Sequence, residues 1–276
     1  MTAEPLKGKP IADAIKEQLV EELEVVKRKI QPKLVALLVG SDPGSEFYAG
    51  MQEKGCASVG IEYELKSLLD DTTQDEMEDV VNGLNADPSV TGIILLVPTP
   101  KQINARAIQA LIDPIKDVDG VSPANLGRVV QGDSSLAPCT AQSVMALAKA
   151  SGVELKGAEV VVVGHSEIVG KPVALLMLEE LATTTVCHIG TKDTPSHTTK
   201  ADILVSATGV PGLIKPDWVK PGAVVIDVGA PDPDAAEGVD EVAGQLTPAR
   251  GGVGTVTTAI LLKNAVVAAK LQMGAC

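Results

Sequence analysis

Val160 to Val163 run without a break into Gly164, His165 and Ser166, with Gly170 shortly after, and these residue types at this spacing suit phosphate chemistry. Four valines with no polar alternation read as a strand covered on both faces. Gly164 and Gly170 remove side chains where backbone must approach something closely, and Ser166 sets a hydroxyl beside the first amides of a following helix, which favour anions. A nucleotide pyrophosphate meets those requirements. A plain tight strand-to-helix turn uses the same residues, and the spacing is not Gly-x-Gly-x-x-Gly, so the segment alone supports both readings. Asp119 and Tyr48 are equally two-sided: Asp119 alone reads first as a loop aspartate capping a helix, and Tyr48 as a core aromatic.

The surrounding pattern alternates helices and strands. Apolar residues recur at helical spacing over Lys9–Ile30, Pro32 stops them, and Leu34–Val39 reads as a buried strand. Ser45–Gly60 is predicted as a helix, Tyr63–Leu65 as a short strand, Thr73–Ala86 as a helix capped by Thr72 or Thr73, and Gly92–Val97 as a strand that turns at Pro98 and Pro100. Between Asp113 and Thr140 the periodicity fades into Pro, Gly, Asp and Asn, as at a functional loop or domain junction. A second series follows: helix Ser143–Ala150, strand Val160–Val163, helix Lys171–Leu181, strands Thr184–His188, Ile203–Ala207 and Val224–Val228, and a closing helix Val256–Leu271. Such alternation implies doubly wound parallel sheets.

Composition narrows the function. The 276 residues, 45% of them hydrophobic, suffice for one large or two ordinary α/β domains. Phe47, Tyr48, Tyr63 and Trp218 are the only aromatics, which leaves no stacking platform for nucleic acid, and a net charge of −13 repels phosphate backbones and anionic membranes. A small-molecule partner is expected, with no nucleic acid and no membrane. Glu4, Lys7, Lys9 and Asp13 stand where a signal peptide would be apolar, so a cytoplasmic protein is expected. Cys56, Cys139, Cys187 and Cys276, and His165, His188 and His197, lack ligand spacing. Core thiols and no metal site are therefore predicted.

Several ordered segments together resemble the methylenetetrahydrofolate dehydrogenase/cyclohydrolase family of one-carbon metabolism. They are Val39-Gly40-Ser41-Asp42-Pro43 with Ser45 and Tyr48, Lys116-Asp117-Val118-Asp119-Gly120 with Asn125 and Gly127, and Pro138-Cys139-Thr140. Gly164, Ser166, Ile168-Val169-Gly170 and Pro172, then Ile226-Asp227-Val228-Gly229, then Gly251-Gly252-Val253-Gly254 complete the set. The resemblance implies two domains: an N-terminal α/β folate-binding domain over 1–140, on which helix 256–276 packs back, and a Rossmann-type doubly wound parallel-sheet domain over 141–255. Folate and nicotinamide would share the cleft between them, and a homodimer through the nucleotide domain is implied.

The departures from the family decide the expected chemistry. Four positions after the family's tyrosine, matched by Tyr48, stands a lysine, about 40° round the helix from it. Here that position is Gln52, and Lys54 would project about 120° away from Tyr48. The glutamine that partners the lysine is matched by Leu96. Hydride transfer needs no enzyme base, because the cofactor does the difficult chemistry, whereas hydrolysis of the methenyl cation needs protons moved. A carboxamide cannot move them. The expectation is a dehydrogenase with little or no cyclohydrolase activity, with Tyr48, Gln52 and Asp119 as catalytic residues and Ser45, Leu96 and Gly252 joining them at the substrate.

Asp119, by the resemblance, accepts from the exocyclic amine and ring N–H of a tetrahydrofolate pterin. Gly164, His165, Ser166 and Ile168 line the phosphates, Thr208 and Gly209 the nicotinamide half, with Ile189, Ala230, Gly254 and Thr257 completing the cofactor site. His165 stands where some relatives have arginine and Ile189 replaces a polar residue, so NAD is favoured over NADP, with Lys192 near enough to keep NADP open. Three other readings stand beside this one. The first is the ordinary bifunctional enzyme, with another proton relay. The second is a non-catalytic folate- or nucleotide-binding subunit serving a partner enzyme of one-carbon metabolism. The last is a generic Rossmann dehydrogenase for an unrelated substrate, which the folate-domain motifs disfavour.

Overall fold

The aliphatic runs form the inner strands of two parallel sheets in the computed structural model, which describes residues 2–274. In chain order the elements are β1 (Glu4–Pro5), α1 (Gly8–Val26), β2 (Lys33–Val39), α2 (Pro43–Val59), β3 (Glu62–Leu68), α3 (Gln74–Ala86), β4 (Gly92–Leu95), α4 (Ala105–Leu111) and α5 (Pro123–Val130). They continue as α6 (Cys139–Ala150), β5 (Glu159–Val163), α7 (Gly170–Glu179), β6 (Thr183–Cys187), α8 (Thr194–Thr198), β7 (Ile203–Ser206), β8 (Val224–Asp227), α9 (Val239–Val242), β9 (Gln245–Leu246) and α10 (Val253–Gln272).

The chain divides into two units. One comprises residues from Ala14 to Cys139 with the chain from Thr258 onward; the other comprises residues up to Asp13 with Thr140–Thr257. The first thirteen residues thus group with the nucleotide-type unit, whereas the sequence pattern sets them in 1–140. The reason is β1, which pairs parallel with β9, Glu4 opposite Gln245. Two of the three divisions fall inside α1 and α10, and the third falls at the start of α6, after the turn-rich stretch that precedes it.

In the first unit β2 is the middle of a parallel sheet ordered β3-β2-β4. Its Val35, Leu37 and Val39 pack with Met77 and Val81 of α3, Ile93 and Leu95 of β4, and Ile108 of α4. Leu34, Ala36 and Leu38, on the opposite face, are buried too, which is why the strand shows no alternation. On α2, Gly55 allows close contact with α10: a Cβ there would stand 3.3 Å from Thr258 Cγ2 and 3.4 Å from Leu262. Helix α10 is long and apolar enough to span a bilayer, but Ala259–Leu262, Ala265, Val266, Ala268 and Ala269 are buried, as in a core helix.

The second unit holds a six-stranded parallel sheet in the order β1-β9-β8-β7-β5-β6. The chain leaves β5 through α7 to β6 on one side and returns through α8 to β7 on the other, so strand order reverses at β5. Open α/β sheets bind ligands beyond the carboxyl ends of strands at such a switch. There the carboxyl ends are Val163 and Ser206, neighbours in register.

Several boundaries depart from the sequence expectation. Helix α1 ends at Val26, since Lys27–Lys29 form a turn, and not at Ile30. Strand β3 runs on to Leu68 because all seven of its residues pair with β2. The stretch expected to be irregular contains α5, started by Ser122, whose hydroxyl accepts from Asn125 N, and Pro123 at the first helical position.

Candidate active site

Helix α2 carries the first group of candidates. Asp42 caps it, its carboxylate accepting from Ser45 N at 2.8 Å, Pro43 opens the first turn, and Gly60 closes it at φ 82°. The face turned inward consists of Ser45, Ala49, Gln52, Gly55, Cys56 and Val59. Ser45 Oγ donates to Val97 O at 3.2 Å, so this hydroxyl is spent on the loop after β4. Gln52 is completely buried, whereas Lys54 is exposed on another face of the same regular helix. Tyr48, one turn before Gln52, is half-buried. Burial, then the Cys139 thiol and the Asp119 carboxyl, push its phenol well above 10, and the adjacent Gln52 amide draws it part of the way back. Leu96 is buried, its amide donating to Leu37 O, and brings only hydrocarbon to its position.

Sequence reasoning missed the residue that meets Gln52. Tyr63 of β3 donates its hydroxyl to Gln52 Oε1 at 3.3 Å, while Gln52 Nε2 has no hydrogen-bond partner. The only signal in the chain was that Tyr63 is one of four aromatics.

The Lys116–Gly120 loop sorts its polar residues into separate tasks. Lys116 Nζ donates to Leu84 O, Asn85 O and Asp87 O at 3.0, 2.8 and 2.7 Å, satisfying the end of α3. Asp117 accepts from Gly120 N, Ser122 N and Asn125 Nδ2 at 3.0, 2.8 and 2.9 Å. The structural work expected of a loop aspartate therefore falls to Asp117, and the α5 cap to Ser122. Asp119 is left with burial and the Asp117 charge, which push its carboxyl up to about 7, offset in part by a hydrogen bond from Cys139. Asn264 of α10, also missed from sequence, donates to Val118 O at 2.9 Å and to Cys139 Sγ at 3.4 Å, holding this loop from behind. The structure thus gathers Tyr48, Gln52 and Asp119, with Cys139, in one unit.

In the other unit Gly164 follows β5 at φ +118°, and a Cβ on it would collide with Ala207 O; one on Gly170 would collide with Gly164 O. Ser166 Oγ accepts from Val169 N at 3.2 Å, which leaves its own proton to donate, the polarity a phosphate oxygen requires. Glycines that bring β5 and β7 ends together at the start of a ten-residue helix fit a dinucleotide. Thr208, just past β7, is held by its amide donating to Asp234 Oδ2 at 2.7 Å, and the same oxygen accepts from Ser206 Oγ at 2.7 Å. Asp234 carried no sequence signal. Gly209 at φ +65° and Ala230 are exposed.

The His165 and His188 rings lie 5.0 Å apart, and Gly190 N donates to His188 Nδ1 at 3.1 Å. Ile168 and Ile189 are exposed, Ile189 completely. Thr257 Oγ1 donates to Val253 O at 3.0 Å inside the first turns of α10, beside Gly254. Gly252 is buried in this same unit, where a Cβ would strike Pro248 O.

Comparison with known proteins identifies the family. Residues 6–119 match the tetrahydrofolate dehydrogenase/cyclohydrolase catalytic domain and residues 138–273 the NAD(P)-binding domain of the same family. A bifunctional FolD protein of Acetivibrio thermocellus is 44% identical over 281 residues, covering 99% of each chain. The crystal structure of the bifunctional FolD enzyme of Campylobacter jejuni superposes with a TM-score of 0.92 at 39% identity, over 98% of this chain and 99% of that one. The FolD of Trypanosoma brucei, complexed with NADP cofactor and an inhibitor, gives 0.92 at 35% identity over 99% of each chain. Both domain models and near-complete coverage establish that the chain belongs to the tetrahydrofolate dehydrogenase/cyclohydrolase family, as an NAD(P)-dependent methylenetetrahydrofolate dehydrogenase.

Proposed function

We propose that this enzyme oxidises 5,10-methylenetetrahydrofolate with a preference for NAD and hydrolyses the methenyl product little or not at all. The observation that carries the second half is the buried carboxamide of Gln52 beside Tyr48, with Lys54 exposed on another helix face. Oxidation leaves a cation that the two folate nitrogens stabilise, so the chain need only hold the substrate and keep its orientation. Asp119 accepts from the pterin's exocyclic amine and ring N–H, Tyr48 and Gln52 flank the one-carbon unit, and Ser45 and Leu96 shape the wall. The nicotinamide nucleotide, when bound, supplies the hydride acceptor. Gly164, His165, Ser166 and Ile168 hold its phosphates, Thr208, Gly209, Ala230, Gly254 and Thr257 its nicotinamide half, and Ile189 its adenosine side.

Support for NAD comes from the apolar, fully exposed Ile189 and from His188, whose Nδ1 is already engaged by the backbone N–H of Gly190. We extend the proposal to a homodimer formed through the nucleotide unit, in which β6 is a sheet edge.

A second reading, the full bifunctional enzyme, is favoured by the names of the relatives and by Asp119, whose carboxyl near 7 can exchange a proton at neutral pH. One set of assays separates the two. With purified methenyltetrahydrofolate, hydrolysis is expected to be at least about 100-fold slower than in a lysine-bearing relative, the size of a lost general acid–base group. Gln52→Lys with Leu96→Gln should recover part of it. Turnover of methylenetetrahydrofolate with each nucleotide should give the higher kcat/KM with NAD. Hydrolysis at the relative's rate, or a strong NADP preference, refutes the corresponding half.

A further inference from the structure

We infer that Tyr63 is a positioning residue for the folate site, holding the Gln52 carboxamide so that its Nε2 is presented as a hydrogen-bond donor to an acceptor atom of the bound folate. The inference rests on the reading of Gln52 as part of that site.

Three observations meet on this pair. Gln52 is completely buried, so each end of its amide must be satisfied by the protein or by a ligand. Its Oε1 accepts from the Tyr63 hydroxyl at 3.3 Å, and its Nε2 closes no hydrogen bond, although the Tyr48 phenol stands next to it. Tyr63 stays a phenol at working pH, since burial and then the Cys56 and Glu53 side chains oppose its ionisation, so its proton remains available for Oε1. The partner is a fixed one. Tyr63 sits opposite Leu34 in the β2–β3 ladder, with paired residues on both sides of it, and cannot drift along the helix that it faces.

A buried amide with its oxygen engaged and its N–H2 group unengaged is a polar group awaiting an acceptor. The Tyr48 phenol lies near enough for the amide to act on it, without a closed bond to Nε2. A folate carbonyl oxygen or a ring-nitrogen lone pair has the required polarity; an N–H of the ligand does not. Turning the amide over would present Oε1 instead and reject the same acceptor, so the orientation in which Oε1 takes the Tyr63 proton is the one that suits an acceptor atom on the folate.

The test uses the full-length enzyme with Tyr63→Phe, Gln52→Leu, the double substitution, and Gln52→Glu. Calorimetric binding of tetrahydrofolate is read together with KM and kcat for methylenetetrahydrofolate and KM for the nucleotide. Tyr63→Phe should raise the folate Kd and KM roughly threefold to tenfold, the span of one neutral hydrogen bond, with kcat within about twofold and nucleotide KM unchanged. In the Gln52→Leu background the same change should add nothing. Gln52→Glu keeps an acceptor for Tyr63 but lacks the N–H2 group, and should bind folate as weakly as Gln52→Leu. Parent-like binding by Tyr63→Phe or by Gln52→Glu overturns the inference, as does a Tyr63→Phe penalty repeated in full without Gln52. A parent enzyme that takes up no tetrahydrofolate overturns the underlying site reading, and this inference with it.

Discussion

Asp119 stands out at the level of single residues because its surroundings oppose its charge: the half-buried carboxyl is desolvated, Asp117 lies beside it, and it is pushed up to about 7 from an ordinary 3.8. The folded state therefore holds the proton over a window where the unfolded chain releases it. Stability from this group is fullest below about pH 4 and is lost as pH rises towards 7. Asp119→Asn should accordingly raise the urea midpoint at pH 8, leave it nearly unchanged at pH 4, and abolish folate binding; a lower midpoint at pH 8 contradicts the account. Because the pterin donors require the carboxylate, the folate Kd of the parent should increase about tenfold for each unit of pH below 7. Calorimetry from pH 5.5 to 8.5 checks this, and a flat profile excludes Asp119 as the pterin acceptor. The separation of Gln52 from Lys54 was legible in the sequence, since helix geometry alone sets those directions. The Tyr63 contact was not: it depends on how β3 registers against β2 and which side α2 covers, information held in tertiary packing.

Among elements, the long strands and helices were legible because each carries its own signal, an unbroken apolar run for β2 and β5 or helical spacing for α3. Elements missed by the sequence pattern are short and owe their form to partners far along the chain. Strand β1 has two residues and exists through β9, some 240 positions later. Helix α5 was hidden in a polar stretch, although Ser122-Pro123 is a start signal. Helix α3 depends at its far end on Lys116, whose ammonium replaces the donors that its last carbonyls lack. Lys116→Met keeps the length of the side chain and removes all three hydrogen bonds. The expected loss is about 3 kcal/mol, seen as a lower urea midpoint at unchanged m-value. A loss under about 0.5 kcal/mol would mean that the carbonyls find other donors.

The molecule as a whole divides at three places: at Cys139/Thr140, where the polar stretch of fading periodicity ends, and inside α1 and α10. The two sheets keep a folate part and a nucleotide part distinct, while both long helices are shared. A fragment of residues 1–139 lacks the α10 side chains that its unit uses: Asn264 behind the Asp119 loop, Lys270 paired with Glu22 at 2.6 Å, and Gln272 donating to Thr91 O at 2.8 Å. It should show no cooperative unfolding transition by circular dichroism, and a sharp transition would show that the α10 contacts are dispensable. The same use of α10 governs biosynthesis. During translation, β2, β3 and β4 leave the ribosome early, yet α10, which packs on α2 at Gly55 and bonds to Thr91 and Val118 of the same unit, emerges only after some 150 further residues have been made. For that interval the nascent chain displays a sticky aliphatic surface with its cover still unsynthesised, the kind of species that chaperones attend.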